Sequence, residues 1–268
     1  MTETESPLPD SENKTNSFEN QEAKFLSLKR SHTELKEFAY SASHDLKEPL
    51  RKFTVFGEKL QLKYKDRLDK EGNLYLDRMM VAAGTMKKLI DSLMDFLFIQ
   101  DDTEYFRKTD LNEVLQSVEN DSRLTFEQTG STLKAAPLPV IEAIPVQMKK
   151  LFSHLIDNAI KFRKPGVPPE IKISCGLAEQ NELELRGMPP EKEYYKIVVM
   201  DNGIGFEPEY SQKIFKAFQR LHGNAEYPGS GIGLAICNRI MDIHKGVIFS
   251  ESRVGVGSAF TLLFPQKE

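Results

Sequence analysis

The chain has no tryptophan, two cysteines in 268 residues and no basic surplus: 36 Lys and Arg stand against 40 Asp and Glu, a formal charge of −4 at pH 7. Each shortage excludes something. Cys175 and Cys237 are too few for a disulfide framework and too far apart for a Cys-x-x-Cys motif, so both are expected as reduced, buried thiols. No His/Cys cluster has zinc spacing, and no structural metal is expected. The acidic balance argues against a protein that coats nucleic acid, which would carry a basic face. It leaves room for local basic contacts to a phosphate. No apolar run approaches the roughly 20 residues that span a bilayer, and the greasiest window, Leu89 to Ile99, is interrupted by Asp91 and Asp95. The start, Met1-Thr2-Glu3-Thr4-Glu5, lacks the basic and apolar regions of a secretory signal. The expectation is a soluble, cytoplasmic chain that touches neither membrane nor nucleic acid.

What is present is ordinary globular composition, 40% hydrophobic and 28% charged, with length for two compact units. Residues 1–20 are polar and acidic, and are expected as a disordered tail. From Phe25 the pattern changes. Phe25, Leu28, His32, Leu35, Ala39, Ala42, Leu46, Phe53, Phe56 and Leu60 follow three- and four-residue steps, the seam of one long amphipathic helix. Pro49 sits inside it and is expected to bend or locally break it. After a charged break at Tyr64–Lys70, a second seam runs through Tyr75, Met79, Ala82, Met86, Leu89, Leu93 and Phe96. Two such helices make a hairpin whose apolar stripes stay partly wet. Pairing two hairpins covers them, which predicts a homodimer built on a four-helix bundle.

Beyond Gln100 the signals alternate. Helices are expected at Leu111–Phe126, Pro145–Phe162, Glu209–Phe218 and Ile232–His244. Strands are expected at Pro139–Glu142, around Ile171–Cys175 and Tyr195–Val199, and at Val247–Ser252 and Ser258–Phe264. Gly176–Glu193 reads as a surface loop. The mixture suggests an α+β sandwich with helices on one face.

Chemistry-bearing residues cluster in this half. Asp201-Asn202-Gly203-Ile204-Gly205-Phe206 follows an apolar strand, and Gly229-Ser230-Gly231-Ile232-Gly233-Leu234 opens a helix. Glycines let backbone N–H groups approach an anion, and a helix N-terminus favours it. Alone, the second cluster is equally a tight turn. His154, Asn158 and Lys161 share one helix face, offering a hard oxygen for Mg²⁺ and a cation for a phosphate. Alone, they are equally the wet stripe of an amphipathic helix.

Together these segments resemble the ATP-binding domain of histidine kinases, the Bergerat or GHKL fold shared with gyrase, MutL and heat-shock-chaperone ATPases. Asn158-Ala159-x-Lys161-Phe162 is similar to the N-box, Asp201-x-Gly203-x-Gly205 to the first glycine box, Phe215-x-x-Phe218 to the F-box, and Gly229 to Leu234 to the second glycine box. Ser43-His44-Asp45-Leu46-Lys47-Glu48-Pro49-Leu50 resembles the H-box of the hairpin that dimerises in this family. The run after His44, and Gln219-Arg220-Leu221-His222 with Tyr227-Pro228-Gly229, look most like kinases attached to phytochrome or PAS sensors.

The resemblance implies an α+β chain in three parts: residues 1–20 a tail, 21–104 the dimerisation and phosphoacceptor hairpin, 105–268 the catalytic ATP-binding domain. It implies ATP and Mg²⁺ as cofactors. Asp201 would accept from the adenine amino group, Gly203 and Gly205 allow close approach, Asn158 hold Mg²⁺ and Lys161 contact phosphate. Gly229, Gly231 and Gly233 would flank the triphosphate, Phe218 belong to the mobile lid of residues 207–228, and Ser258 reach adenine through water. His44 would attack the γ-phosphorus as neutral imidazole, oriented by Asp45. The phosphoryl group would pass to an Asp on the receiver domain of a separate response regulator, since none fits in 268 residues, and the signal would arrive from a separate or upstream sensor. His154 stands where the N-box usually begins with Asn, which implies added pH dependence near neutrality. Glu48 stands where members that dephosphorylate their partner carry Thr or Asn, which implies weak phosphatase activity. His32 is expected as a packing position, His222 as a lid residue and His244 as a helix-end residue. A degenerate kinase acting as a dimeric scaffold and a plain GHKL ATPase are the competing classes.

Overall fold

The structure, a computed structural model, describes residues 11–99, 105–189, 191–221, 227 and 229–266. The side chains of residues 11–23, 25, 26, 28, 29 and 32 lie outside this description, so the expectations for His32 and His222 lie outside it as well.

Helix α1 spans Ser11–Tyr64 and α2 spans Lys70–Leu97. The helix begins ten residues before the expected tail boundary at 21. No Gly or Pro lies between Ser11 and Glu48, so a helix nucleated by the apolar seam propagates back through polar residues. It also continues through Pro49, where a break was one expectation. In the turn between the helices, Asp69 caps α2 by accepting from the Gly72 N–H at 2.7 Å. Asn73 donates its amide to the carbonyls of Lys65, Leu68 and Asp69.

Two compact units are distinguished, 1–76 and 77–268. Their boundary falls inside α2, upstream of the expected 104/105. The physical reason is that Leu93, Phe96 and Ile99 pack on the core of the second unit.

That unit contains β1 (Arg107–Asp110), α3 (Leu111–Asp121), α4 (Arg123–Thr129), β2 (Thr132–Ala135), β3 (Val140–Ala143), α5 (Pro145–Lys161), β4 (Glu170–Leu177), α6 (Gln180–Leu185), β5 (Tyr194–Asp201), α7 (Gly233–Ile243), β6 (Val247–Arg253) and β7 (Gly257–Pro265). Five strands form a sheet in the order β2-β4-β5-β7-β6, antiparallel except for the parallel β2–β4 pair, while β1 and β3 form a small antiparallel ribbon. Period-two alternation puts Ile171 and Ile173, Ile197 and Val199, and Phe260, Leu262 and Phe264 on one sheet face. They meet Met148, Leu151, Phe152, Leu155 and Ile156 of α5 and Ile236 and Ile240 of α7 in a single core. Each such side chain, fully buried, contributes about 1.5–3 kcal/mol.

Three expectations change. Leu111–Phe126 is two helices, α3 ending at Ser122, whose N–H closes on Val118 and Asn120. Gly176–Glu193 holds α6 on the opposite sheet face, because Leu183 buries there with Tyr194, Phe249 and Leu263. Glu209–Phe218 forms only short 3₁₀ turns at Pro208–Tyr210 and Lys213–Phe215. Ser250 Oγ donates to the Ser211 carbonyl at 3.1 Å and Ile214 is drawn into the core, so tertiary ties override helical propensity. The strands β1 and β2 carried no clear sequence signal.

Candidate functional site

The second unit holds a cavity of about 410 Å³, walled on its apolar side by Ile204, Phe206, Ile214, Leu234 and Phe260. It lies within the size range of small-molecule sites. Its polar lining includes His154, Asn158 and Lys161 from one face of α5, Asp201 from the end of β5, Gly205, then Gly229, Gly231 and Gly233 leading into α7, and Ser258 from β7. Residues scattered over about a hundred positions thus converge on one concavity.

Local structure explains how. Asp201 Oδ1 accepts from the backbone N–H of Gly203 at 2.8 Å and of Ser258 at 3.2 Å. The carboxylate is thereby fixed in place, with Oδ2 carrying no hydrogen bond among the described residues. Burial raises the Asp201 pKa above the ordinary carboxylate value, opposed by those two N–H donors and by Lys164. Gly203 does not line the cavity; a Cβ there would press on the Phe162 carbonyl, 2.6 Å away, so its role is the close passage of two backbones. Gly205 has φ +66° and a Cβ on it would collide with the Arg253 carbonyl, so no other residue fits without movement. Gly231, at φ +70°, leaves no room beside the Gln219 carbonyl.

The phosphate-like end is cationic. Lys161 Nζ lies 4.6 Å from the Phe162 ring centroid and abuts the position a Gly229 Cβ would occupy. Burial, then the charge of Arg220, lowers the Lys161 pKa. Two like charges on one concave wall are an arrangement that a bound anion relieves. Arg220 also donates to the Tyr227 carbonyl at 3.1 Å, and Tyr227 stacks near Phe162 at 5.2 Å between centroids.

His154 is the departure from the expected motif. Its Nε2 is buried without a hydrogen-bond partner, and Nδ1 lies 3.3 Å from where a Gly233 Cβ would stand. Desolvation, then the neighbouring Lys150, pushes its pKa down to about 4, against an opposing pull from Asp95. The ring is therefore neutral at physiological pH, and the expected pH dependence near neutrality does not arise from it.

Not every expected residue joins the cavity. Phe218 is exposed, with φ +63°, and does not line it. His44 and Asp45 lie on α1 in the first unit. Ser43 is buried while His44 and Asp45 are exposed, with His44 Nδ1 at 3.4 Å from Asp45 Oδ1. Pro49 removes the N–H that would otherwise bond the Asp45 carbonyl. His244 is more than a helix end: it is buried, Nδ1 donates to the Ile240 carbonyl at 2.7 Å, and Nε2 accepts from the Ile144 N–H at 3.0 Å. Cys237 is buried and Cys175 partly so, and both are free thiols.

Several lining residues escaped sequence reasoning: Arg220, Tyr227, and Lys88, Asp91, Ser92 and Asp95 of α2. Arg220 stands two residues after Phe218 and was readable as a cation beside the F-box. The α2 residues carried no signal, since nothing in sequence links them to α5.

Among the described residues no group of three or more His, Cys, Asp or Glu is placed to hold a metal ion. A Mg²⁺ held by the single Asn158 oxygen, phosphate oxygens and water fits that donor set, because Mg²⁺ keeps most of its waters. No helix of the described residues is long and apolar enough to cross a membrane.

Residues 143–268 match the family of histidine kinase-, DNA gyrase B- and HSP90-like ATPases. The domain built from these residues belongs to that ATPase family. The chain is 37% identical over 238 residues to cyanobacterial phytochrome A of Nostoc sp., covering 89% of this chain and 29% of that protein. To the phytochrome-like protein Cph1 of Synechocystis sp. it is 35% identical over 240 residues, 89% of this chain and 30% of the relative. Histidine kinase 5 of Arabidopsis thaliana is 24% identical over 250 residues, 87% and 27% of the two chains. The chain thus spans about three-tenths of the length of these relatives. The crystal structure of full-length ShkA in complex with AMPPNP shares the fold, with a TM-score of 0.63 at 20% identity over 85% of this chain and 45% of that one.

Proposed function

We propose that this chain is an ATP-dependent protein histidine kinase that phosphorylates itself on His44 and passes the phosphoryl group to an aspartate on the receiver domain of a response regulator. The observation that carries the reading is the convergence of Asp201, Asn158, Lys161 and the Gly229–Gly233 turn on one cavity of nucleotide size. Asp201, pinned through Oδ1, has its other oxygen for the exocyclic amine of adenine. Lys161 and Arg220 receive phosphate charge, the N-terminus of α7 adds its unpaired N–H groups, and Asn158 holds Mg²⁺. When bound, Mg²⁺ neutralises charge on the phosphate oxygens.

On α1, the Nδ1 edge of His44 lies 3.4 Å from Asp45 Oδ1, which supports attack through Nε2. The Nε2 lone pair forms the N–P bond, the bond from the γ-phosphorus to the bridging oxygen breaks, and ADP leaves. Asp45 stabilises the positive charge that develops on the ring and holds the Nδ1 proton. Transfer to a regulator aspartate exchanges the N–P bond for an acyl phosphate.

A homodimer belongs to this reading. Leu35, Leu46, Phe53, Phe56 and Leu60 of the α1 seam are all 46–62% exposed in the single chain, more apolar surface than a lone helix leaves wet. The proposed domain division is a phosphoacceptor region up to about residue 104 and a catalytic domain from 105. Input from a sensor and a cytoplasmic location complete the proposal.

Incubation with γ-labelled ATP and Mg²⁺ tests it. The expected product is labelled chain, with acid-labile and alkali-stable label, absent in His44→Ala although that variant still binds nucleotide. Steady phosphate release without labelled chain would instead indicate a plain ATPase.

A further inference from the structure

The stripe His154, Asn158, Lys161 on α5 extends one turn backward to Lys150, at i−4 from His154. Lys150 does not line this cavity but a neighbouring one, which Asp95 of α2 borders as well, and its charge is engaged there: its Nζ lies 2.8 Å from Asp95 Oδ1. Asp95, Asp91, Ser92 and Lys88 themselves line the cavity, so α2 presents two carboxylates and one ammonium to it. Carboxylates on the wall of a polyphosphate site repel its ligand, and neither takes part in the chemistry proposed above. The pair is only partly exposed, 32% and 49% at the two side chains, so its charges are incompletely screened. Asp95 faces the cavity directly, and the field of both charges extends to the lining residue His154, whose pKa Lys150 lowers and Asp95 raises.

We infer that the last turns of α2 form a charge gate on the nucleotide cavity, in which Asp95, steadied by Lys150 from outside the cavity, opposes a nucleoside triphosphate, whose bound charge repels the carboxylate and loosens the pair. The inference rests on the nucleotide reading of this cavity and adds to it an antagonist of binding, Asp95, with Lys150 as the partner that holds it in place. Neither lies in the motifs that identify the family. Because α2 also carries Tyr75 and Met79 of the apolar seam, release of its last turns is a route by which nucleotide occupancy reaches the helical region.

The test uses the full chain and the non-hydrolysable analogue AMPPNP with Mg²⁺, with affinity measured by calorimetry and α2 followed by hydrogen exchange. Asp95→Asn is expected to bind the analogue about fivefold more tightly at low salt, with most of the gain lost at 0.5 M salt on the order expected from screening. Asp95→Glu, which keeps the charge, is expected to bind like the unmodified chain. Saturation of the unmodified chain is expected to speed exchange at residues 88–97. Unchanged or weaker binding by Asp95→Asn, or greater protection of residues 88–97 on saturation, overturns the gate while leaving the nucleotide reading intact. No binding of the analogue by the unmodified chain overturns both.

Discussion

At the scale of single residues, burial decides charge. His154 sits one helical turn from Asn158, and its folded pKa of about 4 lies below the ordinary 6.5. Between those values the unfolded chain binds more protons than the folded one, so stability rises with pH there. The contribution is complete above pH 6.5 and drains away as pH falls toward 4, to a total of about 3 kcal/mol. Urea unfolding at pH 7 and pH 5 is expected to show a smaller loss for His154→Asn than for the unmodified chain; equal losses would contradict the burial account. Gly205→Ala is a second case, since both its left-handed φ and the Arg253 carbonyl oppose a side chain. A loss of about 2 kcal/mol or more, read from the denaturation midpoint, is expected. The glycines and Asn158 were legible because only their residue types meet such demands. Arg220 and Lys150 were less so, because a surface cation looks the same in sequence whether or not a cavity forms beside it.

At the scale of elements, the strongly periodic segments are where expectation and structure agree. The helix expected at Pro145–Phe162 is found at Pro145–Lys161 with Pro at its first turn, and it buries Met148, Leu151, Leu155 and Ile156. Segments held by distant partners are where they part. The 209–218 region has helical composition but is tied to β6 through Ser211 and Ser250, and α6 exists because Leu183 finds a pocket on the far face of the sheet. His244 is a further such tie. Its ring joins the end of α7 to the entrance of α5 through the Ile240 carbonyl and the Ile144 N–H, bonds separated by a hundred residues in one case. His244→Ala removes a buried acceptor and a buried donor partner at once, and is expected to cost about 2–4 kcal/mol in chemical denaturation. A loss below 0.5 kcal/mol, on the order of a surface substitution, would contradict the clasp.

At the scale of the molecule, the heptad seam of α1 has, among the described residues, no apolar partner sufficient to cover it. Phe53, Phe56 and Leu60 remain 46–62% exposed. Light scattering is expected to return the mass of two chains, and Phe53→Asp with Phe56→Asp the mass of one. The order of the four ATP-binding motifs made the catalytic fold readable in advance. The place of α2 beside the cavity was not readable, because contacts between elements far apart in sequence leave no local pattern. The central claim joins His44 to the nucleotide held by Asp201, Asn158 and Lys161. Its most direct test is mass spectrometry of the intact and digested chain, under neutral conditions, after incubation with Mg²⁺ and ATP. The account predicts one phosphoryl group, on the His44 imidazole, absent in Asp201→Ala. A phosphoryl group on any other residue, or none on a chain that binds ATP, would contradict it.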